Sequence, residues 1–196
     1  MSSDNIGGVT QTLAKLISDG IKADVELQKL LHTEELVTLQ APSNQAPSGQ
    51  ISLLLYSVTE CASMRNMPEQ PGEPRTLMYL SLRYLITPQS KTPQMDQLLL
   101  GKVMQILAER PIIPVSALQG SLSQSGSEGI KIVFDAMSLD DLNKVWTMLS
   151  VPYKPSISYS VYPVPIKSET QQTAPVLPPA TTKPPIAVLP REKLSA

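Results

Sequence analysis

The prolines of this chain are unevenly distributed, and their distribution limits what the last segment can fold into. The chain has 196 residues and 19 prolines, of which six lie between Pro175 and Pro190. Proline fixes φ and has no backbone N–H, so such a segment cannot continue a helix or fill the centre of a sheet. The hydrophobic period also ends after Ile166. We therefore predict a folded domain over residues 1–166 and an extended arm over residues 167–196.

Upstream of the arm, several segments have the residue pattern of β-strands. The clearest is Thr76–Ile86, where apolar residues alternate with a second set that contains Ser81 and Arg83. That second face is therefore partly solvated or contacts a partner. Four more strands are predicted at "ELVTLQAP", Ile51–Thr59, "IKIVFDA" and "SISYSVYPVPI". Pro163 and Pro165 confine the end of the last one to a sheet edge or a strand terminus.

Three helices are predicted from apolar residues spaced three and four apart. The first covers about Ile6–His32, as one bent helix or as two helices interrupted at Gly20. The second is "QMDQLLLGKVMQILAER", with Thr92 as N-cap and Pro93 at the first helical position, after a loop bracketed by Pro88 and Pro93. The third is "SLDDLNKVWTML", capped by Ser138 with Asp141 three residues later.

The apolar residues on each helix predict which side packs against the sheet. The second helix has a stripe of Met95, Leu98, Leu99, Val103, Ile106 and Leu107. Its Gly101 is predicted to mark a close contact with another element. The stripe of the third helix is Leu139, Leu142, Val145, Trp146 and Leu149. The order of elements predicts an α+β fold, a mixed and mostly antiparallel sheet flanked by helices.

Composition limits the classes of partner. The net charge is -1 and no basic run is present, which argues against a nucleic-acid-binding protein. No apolar run reaches the ~20 residues of a membrane span, and the first residues lack a secretory signal, so we expect a soluble protein folded in the cytoplasm. With Cys61 as the single cysteine, no internal disulfide is possible.

The sequence offers little to an enzyme. The single histidine, His32, is best explained as a residue at a helix C-terminus, and one histidine with one cysteine makes no metal cluster. Asp140 and Asp141 fit the first turn of a helix better than an acid–base pair. The glycines of "GSEGIKIVF" precede a strand, whereas a phosphate loop follows one. We predict neither catalysis nor a cofactor.

Three stretches together resemble a known family. They are "ISLLLYSVTECASMRNMP", "LMYLSLRYLITPQS" with "DQLLLGKVMQIL", and "SLDDLNKVWTMLSVPYKPSISYSVYPVPI". In this order, over about Val9 to Lys167, they are similar to the cap or tail-terminator proteins of extracellular contractile injection systems. These are phage-tail-like particles of the antifeeding-prophage and Photorhabdus virulence cassette type. Cys61, after Glu60, departs from the asparagine expected there.

The resemblance implies a structural, non-enzymatic protein with a phage tail-terminator-like fold. Such proteins form a homo-hexameric ring that ends the inner tube and sheath and stops their polymerisation. Assembly in the cytoplasm is expected, within a particle that is released or membrane-anchored, with no direct membrane insertion. An alternative is a soluble adaptor that recruits a partner through the proline-rich arm. The candidate subunit-interface residues are Arg65, Arg83, Tyr79, Pro175 and Pro184. For the two arginines, simple solvation and contact with a neighbouring chain's carboxylate are both open.

Overall fold

The computed structural model describes residues 4–31, 35–43, 49–65, 76–119 and 129–168, which form an α+β fold. The helices are α1 (Asn5–Lys22), α2 (Val25–Leu30), α3 (Pro93–Glu109) and α4 (Leu139–Leu149). The strands are β1 (Val37–Thr38), β2 (Gln50–Glu60), β3 (Thr76–Gln89), β4 (Ile112–Ile113), β5 (Ile130–Asp135) and β6 (Ile157–Lys167). The predicted fold class is confirmed. Strand β4 was not predicted from the sequence, because two residues are too few to show an alternating pattern.

The six strands form one sheet in the order β1-β2-β3-β6-β5-β4. Every neighbouring pair is antiparallel except β1 with β2, so the predicted mixed, mostly antiparallel sheet is confirmed. One row across its centre joins Leu55, Tyr84, Tyr159 and Phe134. A bulge between Leu55 and Ser57 shifts the register of β2. Paired residues in this row point to the same face, which fixes which side chains meet.

Prolines lie inside two strands, at places where one side of the strand has no partner. Strand β5 reaches only Tyr162 on β6, so Pro163 and Pro165 follow where β6 has become an edge strand, as predicted. The predicted loop boundary at Pro88 is wrong, because β3 continues to Gln89 and Pro88 pairs with Ile51. Strand β6 begins its pairing at Ile86, so the missing N–H of Pro88 interrupts no ladder on that side.

Helices α1 and α3 pack against each other and cover one face of the sheet. The predicted apolar face of β3 supplies the sheet side of this core, except that Met78 at its far end is about half exposed. On α3, Leu98 lies in the predicted stripe but is exposed. The buried cluster contains Val9, Leu13, Leu16, Ile17 and Ile21 of α1, Leu99, Val103, Ile106 and Leu107 of α3, and Leu80, Leu82, Tyr84 and Ile86 of β3.

Among the described residues, Tyr84 is the largest fully buried side chain, and its hydroxyl lies 2.8 Å from the Thr10 hydroxyl. Burial raises the pKa of Tyr84 to about 12, and the hydrogen bond with Thr10 opposes that rise. The phenol therefore stays protonated in the folded state at a pH where the unfolded chain ionises.

We expect the free energy of unfolding to fall as pH rises above 10 toward 12, because only the unfolded state then loses the Tyr84 proton. A difference of two pKa units corresponds to about 2–3 kcal/mol. Denaturant unfolding across this range measures it. Tyr84→Phe should remove most of the dependence, whereas Tyr153→Phe, at an exposed position, should not. An unchanged slope in Tyr84→Phe would contradict the assignment.

The helix starts follow the predicted caps. The Thr92 hydroxyl accepts from the Met95 N–H with Pro93 at the first helical position, and the Ser138 hydroxyl accepts from the Asp141 N–H. The Ser138 hydroxyl also donates to the Asp141 carboxylate at 2.8 Å, the main cause that lowers the pKa of that carboxyl. Both predicted caps are confirmed.

The break in the first helical segment lies after Gly20. Helix α1 runs through Gly20 to Lys22, and α2 begins after Asp24, whose carboxylate accepts from the N–H groups of Glu26 and Leu27. Lys102 of α3 lies 2.9 Å from Asp24, and its hydrogen bond is the main cause that lowers the pKa of that carboxyl. His32, predicted at the end of this segment, lies outside the described residues.

The close contact predicted at Gly101 lies at Gly20 instead. A Cβ built on Gly20 would lie 2.6 Å from Ile106 Cδ1, so Gly20 is where α1 and α3 approach closely. A Cβ on Gly101 would have no heavy atom within 4 Å, so the predicted close contact at Gly101 is wrong. The glycine in α3 is instead on its exposed side.

Helix α4 lies on the second face of the sheet. Met137, directly before it, accepts a hydrogen bond from the Tyr56 hydroxyl, and the charge of Arg83 contributes to the lowered pKa of Asp141. Trp146 is the only buried residue of α4, as predicted for a core position. Leu139 lies in the predicted stripe but is 78% exposed. The helix is thus attached through Trp146, with Leu142, Val145 and Leu149 of the predicted stripe partly buried beside it.

Among the described helices, none combines the length and hydrophobicity that a membrane-spanning helix requires.

Candidate subunit interface

The second face of the sheet carries a row of polar side chains beside α4. The register places Ser57, Arg83, Ser160 and Val133 at one level across four strands. Arg83 and Val133 are exposed, and the two serines are half-buried. The face is therefore partly solvated, as predicted from the alternation of β3. It presents small hydroxyls around one guanidinium, which suits contact with another protein surface.

Arg83 belongs to a polar network around Asp135. Its Nε lies 3.7 Å from Asp135 Oδ2, which also accepts from the Tyr56 hydroxyl at 3.4 Å and from the Ser158 hydroxyl at 3.3 Å. The Tyr56 and Ser158 hydroxyls are 2.9 Å apart. Within the described residues, no hydrogen bond engages the terminal guanidinium nitrogens of Arg83. Those donors remain free for an acceptor on another chain.

Arg65 is already paired within its own chain. Its Nε and Nη2 donate to the two carboxylate oxygens of Glu60 at 2.9 and 2.6 Å, a bidentate pair. This contact lowers the pKa of Glu60 and raises that of Arg65. Both side chains are exposed, so the pair adds little stability. Of the two predicted arginines, Arg83 has more unused donors, because Arg65 gives two of its five N–H groups to Glu60.

The predicted Tyr79 lies on the same strand as Arg83 and beside the turn that leads to Arg65. It is on the same face of β3 as Arg83, and its carbonyl accepts from the Cys61 N–H at 2.7 Å, next to the turn that leads to Arg65. Tyr79 is half-buried. The structure thus brings Tyr79, Arg65 and Arg83 to the β2–β3 half of the sheet. Pro175 and Pro184 lie outside the described residues.

Sequence reasoning missed Tyr56, Asp135 and Ser158, the three side chains that form the network. Asp135 had a usable signal, since the alternation of "IKIVFD" puts it on one face with Lys131 and Val133. Tyr56 had none, because its direction depends on the bulge after Leu55, and a bulge is a property of the strand pair.

The described part of the chain contains no cluster of three or more His, Cys, Asp or Glu side chains able to hold a metal ion. Its most connected polar group, the network around Asp135, is partly buried on the second face of the sheet, with the exposed Arg83 beside it. That arrangement can bind a surface of complementary shape and charge.

Two solved structures have a similar fold. One is the sheath/tube terminator of the PVC extracellular contractile injection system in the extended state, determined by cryo-EM. It has a TM-score of 0.56 and 19% identity, and the match covers 94% of this chain and 63% of that one. The other is the tube-terminating cap of the anti-feeding prophage, with a TM-score of 0.54 and 19% identity, over 86% of this chain and 59% of that one.

This chain therefore spans about three fifths of the length of either terminator. No curated protein matches its sequence. Residues 8–178 match the Pvc16 N-terminal domain family, which confirms the resemblance to the cap or tail-terminator family found in the sequence. Because that match covers most of the chain, the protein belongs to the Pvc16 N-terminal domain family.

Proposed function

We propose that this protein is a structural cap of a contractile injection system, which ends the inner tube and sheath as a hexameric ring and stops their polymerisation. The observation that carries the proposal is the family match over residues 8–178. The likeness to two terminators over most of this chain supports it. We expect the cap to assemble in the cytoplasm with tube and sheath proteins of the same particle, without enzymatic activity.

The fold supports a division of the chain into a domain and an arm. Residues 1–166 would form the terminator-like domain, since β6 ends at Lys167. Residues 167–196 would be an arm that becomes ordered only on assembly, which is how a segment that cannot bury a core of its own contributes to a ring. Interface contacts would include Tyr79, Arg83, Arg65, Pro175 and Pro184.

Electron microscopy of particles produced with and without this protein tests termination. We expect tubes and sheaths of uniform length with it, and of variable or excessive length without it. A complemented deletion strain is the control. Unchanged lengths in its absence would overturn the proposal. Normal lengths with loss of one associated protein would favour the adaptor alternative.

Removing residues 169–196 tests the arm. We expect the thermal midpoint to stay the same, because β6 is complete at Lys167, while association with tube and sheath weakens. Thermal unfolding and co-sedimentation with tube and sheath measure the two effects. An unfolded truncation would contradict the division, since it would show that the arm completes the core.

Replacing Arg83 tests the polar face. We expect Arg83→Ala to weaken assembly with a change in unfolding free energy below about 1 kcal/mol, because its ion pair with Asp135 is half exposed and long. Lys144→Ala, which breaks an exposed pair on α4, is the matched control. Ring yield by electron microscopy gives the readout. Equal yields from both variants would remove Arg83 from the interface.

A further inference from the structure

Both outer strands of the sheet are shorter than the strands they cover. Strand β1 pairs only with Ile51 and Ser52, yet β2 continues to Glu60. Strand β4 pairs only with Ile130 and Lys131, yet β5 continues to Asp135. We name the uncovered stretches the β2 edge (residues 54–60) and the β5 edge (residues 133–135). In the described part of the chain, no strand pairs along the outer side of either edge.

Phe134 is the one residue of the β5 edge whose backbone N–H and C=O point to the outer side, because Val133 and Asp135 point theirs toward β6. The Ile132 N–H donates outward to the Pro111 carbonyl at 2.8 Å. Residues two apart in a strand point their backbone groups the same way, so Phe134 presents its N–H and C=O to the outer side. No neighbouring strand is described there, because β4 has ended. A strand from elsewhere could continue the ladder at this point.

Both edges carry exposed apolar side chains. Val58 is 46% exposed on the β2 edge, and Val133 and Phe134 are 41% and 49% exposed on the β5 edge. The β2 edge, "LLYSVTE", contains no lysine and no proline. Free edges in soluble proteins usually carry such residues to prevent pairing with another chain. The bulge after Leu55 and the charged Glu60 discourage pairing at the β2 edge, but the exposed apolar side chains on both edges favour burial in an assembly.

The two edges lie at the same level on opposite sides of the sheet. The register that pairs Val133 with Ser160 continues through Arg83 to Ser57, and the row of Asp135 continues through Ser158 and Leu85 to Leu54. From β2 through β3 and β6 to β5 the strand direction reverses three times, so β2 and β5 run in opposite directions. If two copies are related by a rotation about an axis parallel to the strands, β5 of one copy and β2 of the next also run in opposite directions.

We propose that the β5 edge of one copy pairs with the β2 edge of the next, antiparallel, so that the sheets join head to tail. The contact is heterologous, with two different surfaces, which is what a closed ring of identical copies requires. Ser57 and Val133 lie on one face and at one level, so they become cross-strand neighbours between copies. The inference rests on the proposed ring and specifies how it closes.

Thiol cross-linking tests this pairing in particles assembled with tube and sheath. Cys61, the only cysteine, is first replaced by serine, and Ser57→Cys and Val133→Cys are then made separately and together. A short cross-linker that spans ~7 Å is added. This is the length of two residues along a strand, so the reagent still joins the two cysteines if the register between copies is shifted by that amount. Within one chain these positions are three strand spacings apart, ~14 Å, so such a reagent does not join them.

We expect a mixture of the two single-cysteine variants to give covalent dimers, whereas each variant alone gives none. The double variant should give a ladder of multimers. Ser57→Cys combined with Ala108→Cys, on the exposed side of α3, is the matched control and should stay monomeric. Dimers from one single variant alone would indicate a two-fold contact and overturn the proposal. Links to a tube or sheath subunit instead would do the same.

Blocking the edges gives a second readout. Val58→Lys and Val133→Lys place an ammonium at half-exposed positions, so the monomer should keep its thermal midpoint while association falls at least tenfold. Met148→Lys, at an exposed apolar position on α4, should assemble normally. Rings that form without cross-links and survive both edge variants would overturn this pairing and leave the cap function standing. Absent rings with unchanged tube and sheath lengths would overturn both.

Discussion

Trp146→Ala should release α4 from the second face of the sheet and lower stability by about 3–5 kcal/mol. Trp146 is 3% exposed, its indole N–H donates to the Ser156 hydroxyl at 3.2 Å, and its ring meets Tyr153 edge-on at 5.6 Å. No other residue of α4 is buried. An isolated helix of 11 residues is marginal in water, so α4 should unfold before the rest of the chain.

Hydrogen exchange of the α4 amides and thermal unfolding measure this effect. Trp146→Phe keeps an aromatic ring and should lose only part of the stability, whereas Met148→Ala, at a 65% exposed position of the same helix, should change it by less than about 0.5 kcal/mol. Trp146 is the only tryptophan, so its fluorescence reports docking of α4 in the unmodified protein. Unchanged exchange in α4 after Trp146→Ala would show that other contacts hold the helix.

Sequence patterns predicted the elements whose signals are local. The alternation of Thr76–Ile86 predicted which residues face the main core, because side-chain direction in a strand has a period of two. The caps at Thr92 and Ser138 were predicted because each needs only a side chain and an N–H three residues away. These interactions are the same in any fold that contains the segment.

Features that depend on a partner strand or helix could not be predicted in the same way. Pro88 belongs to β3 because β6 starts its pairing only at Ile86, and nothing near Pro88 in the sequence records where β6 begins. Strand β4 consists of two residues and exists because β5 lies beside it. The network of Tyr56 with Asp135 joins residues 79 positions apart and depends on the bulge in β2.

The predicted interface residues show the same difference between features with a local sequence signal and features that depend on a partner element. The alternation of β3 put Arg83 on a partly solvated face, which the structure has. The bidentate pair of Arg65 with Glu60 was not foreseen, although the two residues are five positions apart, because it forms across the turn at Ala62–Met64. The uncovered β2 and β5 edges are properties of the whole sheet, so no single segment indicates them.

Gly20→Val should lower the free energy of unfolding by about 3 kcal/mol, because it forces α1 and α3 apart where they cross. A Cβ at Gly20 would lie 2.6 Å from Cδ1 and 2.7 Å from Cγ1 of Ile106. Ile106 is itself part of the buried core, so it has little room to move. Replacing a mid-helix glycine gains up to about 1 kcal/mol in helix propensity, but overpacking costs about 1–3 kcal/mol and the branched side chain adds more.

Denaturant unfolding compares Gly20→Val with Gly101→Val, the same substitution in a helix that has open space at that point. We expect Gly101→Val to be neutral or stabilising by a few tenths of a kcal/mol. Ile106→Ala alone should cost about 2–5 kcal/mol. In the Gly20→Val background it should cost at least about 1 kcal/mol less, since valine then fills the space that Ile106 leaves. Additive effects would place the helix crossing elsewhere, because only two side chains that compete for one volume are coupled in this way.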